Sequence, residues 1–233
     1  MNDFKFGVVV FPGSNCEQDV VYAIKHLGYQ ADYVWHRETS LDGFDAVILP
    51  GGSSYGNYLR SGAIASLSPI MTAIKDFALQ GKPVLAISNG FAILTEAGLL
   101  PGVLLQNQTQ KYISQTVSLR VETSVCQWLN PTPGAVLTMP ISHGSGNYVV
   151  DELTLGRMET MGQIVLRYTQ ADGSLLPDPS SVGGAVDNIA AVCNERGNVL
   201  GMLPYPERVV DGLAGTDGSV FFSTIIKHLE AVI

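Results

Sequence analysis

The sequence has few charged residues, and most of those are acidic. Asp, Glu, Lys and Arg make up 15% of the 233 residues, against about 25% in a typical globular protein. We therefore expect much of the chain to be interior or interface. Lys and Arg number 13 and Asp and Glu number 21, which gives a net charge of −8. This balance argues against a nucleic-acid-binding protein, in which a basic face is expected.

The sequence also lacks the segments that would place it in a membrane or carry it out of the cell. No apolar run approaches the roughly 18 residues of a membrane span, and the N-terminus has no basic region followed by an apolar one. The three cysteines, Cys16, Cys126 and Cys193, are widely spaced, which suits a reducing compartment and gives no metal-ligand spacing. We expect a cytoplasmic protein without a metal or cofactor.

Apolar strands alternate with helical patterns over the first hundred residues. Strands are predicted at 6–11, 30–36, 44–52 and 82–88, and helical spacing of apolar residues occurs at 16–29 and 66–79. Several of these strands close on a Gly-rich turn. Such alternation predicts an α/β protein with a mostly parallel sheet flanked by helices, whose ligands lie at the carboxyl ends of the strands.

The pattern changes after about residue 100, where strand-like segments are joined by loops. They occupy residues 111–122, 134–144, 162–170 and 188–207, and the last forms a plausible hairpin around Arg196-Gly197-Asn198. An amphipathic helix is expected at 218–233. We interpret residues 1–233 as one domain with an added β-rich portion on the same sheet.

The segment "KPVLAISNGFAIL", residues 82–94, has the pattern of a nucleophile elbow. A short apolar strand runs into Ser88, and Asn89, Gly90 and an apolar helix start follow. In such a turn the residue at the tip stands clear of its own backbone, where an enzyme places its Ser or Cys nucleophile. Ser88 is therefore the first candidate catalytic residue.

Five segments carry a family resemblance that covers essentially the whole chain. They are "VVVFPGSNC", "ILPGGSSYGNYLRSGAIA", "AISNGFAILTEAGLLPG", "PISHGSGNY" and "GNVLGMLPYPERVVD". In this order and spacing the sequence resembles the glutaminase (PurQ-type) subunits of phosphoribosylformylglycinamidine synthase, which are triad-type (class I) glutamine amidotransferases. The resemblance implies a flavodoxin-like fold and a Cys nucleophile that attacks the glutamine side-chain amide. It also implies a PurL-like, ATP-dependent synthetase partner that takes up the ammonia, and it leaves open a further, small accessory partner.

The sequence departs from the family pattern where that pattern touches glutamine. Ser88 replaces the Cys nucleophile, Tyr205 replaces the His of a His-Pro-Glu motif whose Glu207 remains, and Ala92 replaces a Gln. Further departures lie at Ser53 and Asn57, in the loop that builds the oxyanion hole, and at Ser145, in the glutamine-pocket segment. By resemblance, the substrate pocket would include Gly51, Gly52, Ser53, Asn89 and His143.

These replacements remove the chemistry of a thiol triad. A Ser hydroxyl must lose its proton during attack and needs an adjacent base, whereas the phenol of Tyr205 is protonated at neutral pH. Three interpretations of Ser88 stay open: an inert residue in a retired site, an engineered Cys-to-Ser trap, or a working nucleophile with a new base. The first explains the accompanying changes at Tyr205 and Ala92, and we expect it.

The remaining candidate residues each have a functional and a structural interpretation. His143 could approach Ser88 or keep an inherited structural hydrogen bond, and we expect the latter. Glu207 could be a catalytic acid without its partner, but we expect a carboxylate at the start of a helix in "PERVVD". Cys16 could be a substitute thiol, although a structural role is expected.

The glycines and the other histidines are interpreted in the same way. Gly51 and Gly52 could offer N–H groups to an anion, or the turn could need the positive φ that glycine adopts. We expect His26, His36 and His228 at the surface or at an interface.

The sequence therefore predicts a diverged partner or regulator of a synthetase, unable to hydrolyse glutamine. The alternatives are an amidotransferase or Ser-dependent hydrolase or acyl-transfer enzyme with a remodelled pocket, and a sensor that binds a small-molecule ligand in the altered pocket without turnover.

Overall fold

The computed structural model describes residues 4–128 and 132–232, which contain two sheets. The larger sheet has nine strands in the order β2-β1-β3-β4-β11-β10-β9-β6-β7, and β5 pairs with β8 in a two-stranded sheet. The chain is therefore an α/β protein whose first and last segments share one sheet.

The first half of the large sheet is parallel. It contains β1 (Lys5–Val10), β2 (Gln30–Trp35), β3 (Ala46–Leu49) and β4 (Val84–Ile87), and β11 (Val199–Met202) continues it parallel to β4. Three helices belong to this half: α1 (Glu17–His26), α2 (Ile70–Leu79) and α3 (Asn89–Glu96). Every residue of β3 and β4 is buried, as expected for apolar strands in the middle of a parallel sheet.

The second half of the large sheet is antiparallel. Here β10 (Ile189–Cys193) pairs with β11 and β9 (Ile164–Thr169), and β6 (Ile113–Val121) pairs with β9 and β7 (Val136–His143). The short strands β5 (Val103–Leu105) and β8 (Asn147–Val149) form the second sheet. The chain ends in α5 (Ser219–Val232). The predicted β-rich portion, the hairpin and the last helix are therefore confirmed.

One helix and one short strand pair were not predicted. Helix α4 (Glu152–Thr160) buries only Met158, so its sequence carries no apolar periodicity. Its signal was the cap at Asp151, whose side chain accepts a hydrogen bond from Thr154 N. The helix predicted at 66–79 begins at Ile70, after Pro69, because residues Ala65–Leu67 form a separate 3₁₀ turn.

The surface position predicted for His36 is wrong. Its side chain is buried, and its Nδ1 lies 3.1 Å from the Tyr55 hydroxyl, next to the edge of the Trp35 ring. His26 is exposed and His228 is half-buried. Across residues 4–128 and 132–232, no helix is long and apolar enough to cross a membrane, and no cluster of His, Cys, Asp or Glu could hold a metal ion.

Candidate active site

Ser88 lies at the tip of a sharp turn between β4 and α3. Its φ of 50° is in the left-handed region that residues with a Cβ seldom adopt, and its N–H donates to the carbonyl oxygen of Met202 at 2.7 Å. Two residues on, Gly90 packs so closely on β3 that a Cβ there would overlap the carbonyl oxygen of Leu49. The elbow backbone is therefore complete, with a Ser at its tip.

Tyr205 fills the space next to Ser88. Its hydroxyl is the donor to Ser88 Oγ at 2.8 Å and also lies 3.0 Å from the carbonyl oxygen of Ser142, so that its one proton is shared between two acceptors. The ring packs so tightly on Gly51 that a Cβ there would come within 2.5 Å of it. Burial raises the pKa of Tyr205 far above its ordinary value. The phenol is therefore a hydrogen-bond donor toward Ser88 and not a base.

Glu207 is a buried carboxyl group close to Tyr205 in the chain. Neither carboxyl oxygen has a hydrogen-bond partner among the residues that the structure describes. Burial raises the pKa of Glu207 to about 8, an effect that its own backbone N–H and, less strongly, the Arg208 charge only partly offset. The helix start expected at "PERVVD" is wrong, because Pro206–Arg208 form a single 3₁₀ turn, too short to carry a helix dipole. Glu207 is therefore a neutral, buried carboxylic acid at neutral pH.

The opposite wall is held together by Asn89. Its Oδ1 accepts from the backbone N–H of Ser54 at 3.1 Å, and its Nδ2 donates to Asn57 Oδ1 at 3.0 Å and Ser61 Oγ at 2.9 Å. Non-glycine residues of this loop adopt positive φ, 54° at Asn57. A backbone with such values persists only where the surroundings hold it. Gly52 has a φ of 134°, so this position of the turn requires glycine.

The His143 ring belongs to a hydrogen-bond network that holds the surrounding loops. Its Nδ1 lies 3.2 Å from Asn107 Oδ1, which also accepts from the N–H of Gly146 at 2.7 Å. Since Asn107 Oδ1 can only accept, Nδ1 carries the proton. Burial lowers the pKa of His143 to about 4, and within the described part of the chain no hydrogen bond joins it to Ser88. The structure thus favours the structural interpretation of His143.

Cys16 and Arg208 close the side of the site next to Tyr205. The Arg208 guanidinium lies over the Tyr205 ring, 4.4 Å from its centroid, and donates to Cys16 Sγ at 3.4 Å. Burial, with the nearby Glu207, raises the pKa of Cys16 to about 11. A protonated thiol is a poor nucleophile, so the structure favours the structural interpretation of Cys16.

Together these residues enclose a cavity of about 240 Å³ at the carboxyl ends of the parallel strands. Ser88, Asn89, Gly52, Ser53, His143 and Tyr205 line it as predicted from the sequence, whereas Gly51 and Glu207 lie behind Tyr205 and are not part of its lining. The sequence analysis missed other lining residues: Asn15, Ser61, Tyr112, Ser142 and Arg208. Four of these five, all but Tyr112, belong to segments that carried the resemblance, and this was the available signal.

A known family of domains matches the part of the chain that contains the elbow, the loop around Asn89 and the Tyr205 segment. Residues 4–217 match the family model of the CobB/CobQ-like glutamine amidotransferase domain. The chain is 49% identical over 229 residues to "Phosphoribosylformylglycinamidine synthase subunit PurQ" of Moorella thermoacetica, with 97% of each chain covered. The chain belongs to the PurQ family of glutamine amidotransferase domains.

Other PurQ family members and solved structures agree. The corresponding PurQ protein of Salinibacter ruber is 46% identical, with 98% of each chain covered. A chain from the "Structure of PurLQS from Thermotoga maritima" is 40% identical and superposes with a TM-score of 0.85, over 97% of this chain and 99% of that one. A GMP synthase-like protein from Thermoplasma acidophilum, 13% identical with a TM-score of 0.68, shows the fold alone. The flavodoxin-like class I amidotransferase fold is thus confirmed.

Proposed function

We propose that this PurQ-family chain associates with a PurL-like synthetase and does not hydrolyse glutamine. The observation that carries the second part is the hydrogen bond from the Tyr205 hydroxyl to Ser88 Oγ, 2.8 Å long. Burial raises the pKa of Tyr205, so the phenol keeps its own proton and does not take the proton of Ser88. The role of Ser88, Tyr205 and Glu207 in this proposal is that of a retired catalytic centre.

Among the described residues, no other group near Ser88 can take the place of the base. His143 donates Nδ1–H to Asn107, and the pKa of Glu207 is raised to about 8, so that this acid is mostly protonated at neutral pH. In a serine protease, removal of the acting triad lowers kcat by about 10⁶-fold, which corresponds to about 8 kcal/mol. We therefore expect a loss of several orders of magnitude in glutamine turnover.

The partner is inferred from the relatives. The PurQ proteins are named as subunits of phosphoribosylformylglycinamidine synthase, and the Thermotoga structure is named for a PurLQS assembly. Identity of 40–49% over nearly the whole chain supports a similar association with a PurL-like synthetase, and a possible contact with a small accessory protein. The three buried thiols, Cys16, Cys126 and Cys193, suit the reducing cytoplasm.

A Ser-dependent hydrolase, the alternative, would need a proton acceptor beside Ser88. The phenol of Tyr205 occupies that place and has its pKa raised by burial. No described contact of Ser88 favours this alternative, and a stable acyl adduct on Ser88 would be needed to revive it.

The test is release of glutamate and ammonia from glutamine, with the purified chain alone and with a PurL-like synthetase. We expect no turnover above background in either case, and co-elution of the two proteins. The control variant, Ser88→Cys with Tyr205→His, supplies a thiol and an imidazole. We expect it to react with small alkylating agents but to release little ammonia, since Ala92, Ser53 and Ser145 stay unchanged. Turnover by the unmodified chain within about tenfold of an intact glutaminase would refute the loss of activity.

A further inference from the structure

The cavity at Ser88 has one full charge in its lining, and that charge is positive. Arg208 is the only charged side chain among the lining residues that the structure describes. The nearest carboxyl group behind the wall, Glu207, has no accessible oxygen. Asp19 lies 3.5 Å from Arg208 Nε on the outer side and is half-exposed, so solvent screens this pair. Among the described lining residues the cavity therefore presents a cation and no carboxylate, while Arg208 is itself exposed and its charge is paired with Asp19 from outside the lining.

The oxygen atoms of the lining amide side chains accept hydrogen bonds from protein donors. Asn15 Oδ1 accepts from the Cys16 thiol at 3.1 Å, Asn57 Oδ1 accepts from Asn89 Nδ2 at 3.0 Å, and Asn89 Oδ1 accepts from Ser54 N at 3.1 Å. The NH₂ groups of Asn15 and Asn57 make no hydrogen bond to any described residue. These two groups remain as donors to a ligand.

The backbone adds donors at the same place. Helix α3 begins at Asn89 with Ser88 as its N-cap, and the Ser88 side chain does not cap it. The first N–H groups of a helix have no partner within the helix, and they favour negative charge. In the described lining, the one orphaned acceptor, His143 Nε2, is buried, and Gly146 packs directly on the ring. The cavity thus offers unpaired N–H donors and a guanidinium, while the side-chain acceptors of its described lining are mostly neutral hydroxyls and include no carboxylate.

From this inventory we infer that the cavity binds a small carboxylate that carries no ammonium group. The inference rests on the proposed absence of glutamine turnover and specifies what the site binds instead. Glutamine brings an α-ammonium that would lie in the same cavity as the Arg208 charge, with no carboxylate in the described lining to receive it, and like charges repel. The volume, about 240 Å³, is below the roughly 300–1,000 Å³ of sites for drug-sized molecules, so the ligand is a small metabolite.

The test compares two ligands that differ by one group. Glutaramate is glutamine without its ammonium, and both can be titrated calorimetrically into the full chain at neutral pH. We expect glutaramate to bind at least about tenfold more tightly than glutamine. Arg208→Gln should weaken glutaramate binding by a similar factor. Arg157→Gln, which removes an exposed arginine paired with Glu195 outside the cavity, is the matched control and should change nothing.

A gain-of-function variant makes the test independent of any loss of folding. Ser145→Glu supplies the carboxylate that the lining lacks, and it should shift the preference toward glutamine by at least about tenfold. Equal or tighter binding of glutamine by the unmodified chain would overturn the inference, and so would no binding of glutaramate at millimolar concentration. Ammonia released in the same glutamine samples reports separately on the proposed function, so the two failures are distinguishable.

Discussion

The two walls of the Ser88 cavity differ in how well their polar groups are satisfied. The first wall, residues 53–61 with Asn89, uses both polar atoms of the Asn89 amide in hydrogen bonds of 2.9–3.1 Å and leaves one buried polar atom, Ser54 Oγ, without a described partner. The second wall, residues 205–208, buries a carboxyl group with neither oxygen bonded to any described residue. An unsatisfied buried polar group is unfavourable, so the presence of Glu207 in the second wall is not explained by its contacts there.

The difference separates residues that close packing requires from a residue that packing alone does not explain. In the first wall and the elbow, glycines and strained turns are fixed by close backbone contacts, so they persist whatever residue stands at position 88. In the second wall, the carboxylate of Glu207 could accept a hydrogen bond, but the Tyr205 side chain does not supply one. Under the proposed function, the scaffold of a PurQ family site outlasts its catalytic residues.

The largest effect is expected where the elbow packs on β3. Gly90→Ala would place a Cβ into the carbonyl oxygen of Leu49, and since backbone cannot move aside easily we expect a loss of about 3 kcal/mol or more in the free energy of unfolding. Urea denaturation measures it. Gly156→Ala is the control: nothing lies within 4 Å of a Cβ at this helical position, and we expect a gain of about 0.5–1 kcal/mol. Equal effects of the two variants would mean that the elbow is not closely packed.

Much of the fold could be predicted because its signals are local. The alternation of apolar strands and Gly-rich turns indicated β1 to β4, and the 3.6-residue period of α1 and α5 reflects one buried face. Helix α4 could not be found in this way, since Met158 alone is buried on it. His36 was misplaced because its burial comes from Phe11, Trp35 and Tyr55, whose approach to it is set by tertiary structure.

The candidate site divides along the same line. The elbow and the Tyr205-Pro206-Glu207 segment could be identified from the sequence, and in the structure the Tyr205 hydroxyl lies 2.8 Å from Ser88 Oγ. The environment of Glu207 was not readable, since burial depends on the residues that cover a group. Nor could the sequence show that Asn107, in a loop distant in the chain, holds His143.

A second, smaller effect should appear at Glu207 as a dependence on pH. Its pKa is about 8 in the folded protein against 4.5 as the reference value, so between pH 4.5 and 8 the folded state binds a proton that the unfolded state has released. The free energy of unfolding therefore falls as pH rises through this window. Glu207→Gln mimics the neutral acid and removes this loss, and its advantage over the unmodified chain should grow by about 2 kcal/mol between pH 6 and pH 8.

The measurement is urea unfolding of both proteins at several values of pH. Glu195→Gln, at an exposed position, is the control for loss of a carboxyl group. If the advantage of Glu207→Gln stays constant from pH 6 to pH 8, Glu207 has a partner or access to water, and the contrast between the two walls is wrong.

The smallest effect concerns the hydroxyl that joins the walls. Tyr205 lies in the second wall, yet its hydroxyl reaches Ser88 at the elbow and the carbonyl oxygen of Ser142 on β7. Tyr205→Phe keeps the ring on Gly51 and removes only these hydrogen bonds. A buried hydrogen bond contributes about 1 kcal/mol, and the Ser142 carbonyl would lose this partner, so we expect a loss of about 1 kcal/mol in urea denaturation with an unchanged m value.

Tyr112→Phe gives the matched comparison for that hydroxyl. The Tyr112 hydroxyl also bonds to Ser142, at Oγ and 2.8 Å, but its side chain is 68% exposed. Water replaces such a bond, so we expect a change below about 0.5 kcal/mol. A loss at Tyr205→Phe no greater than at Tyr112→Phe would show that the hydroxyl does not hold the walls together. A clear loss, with glutamine turnover still absent, would mean that Tyr205 now serves the stability of the site in which it replaces a base.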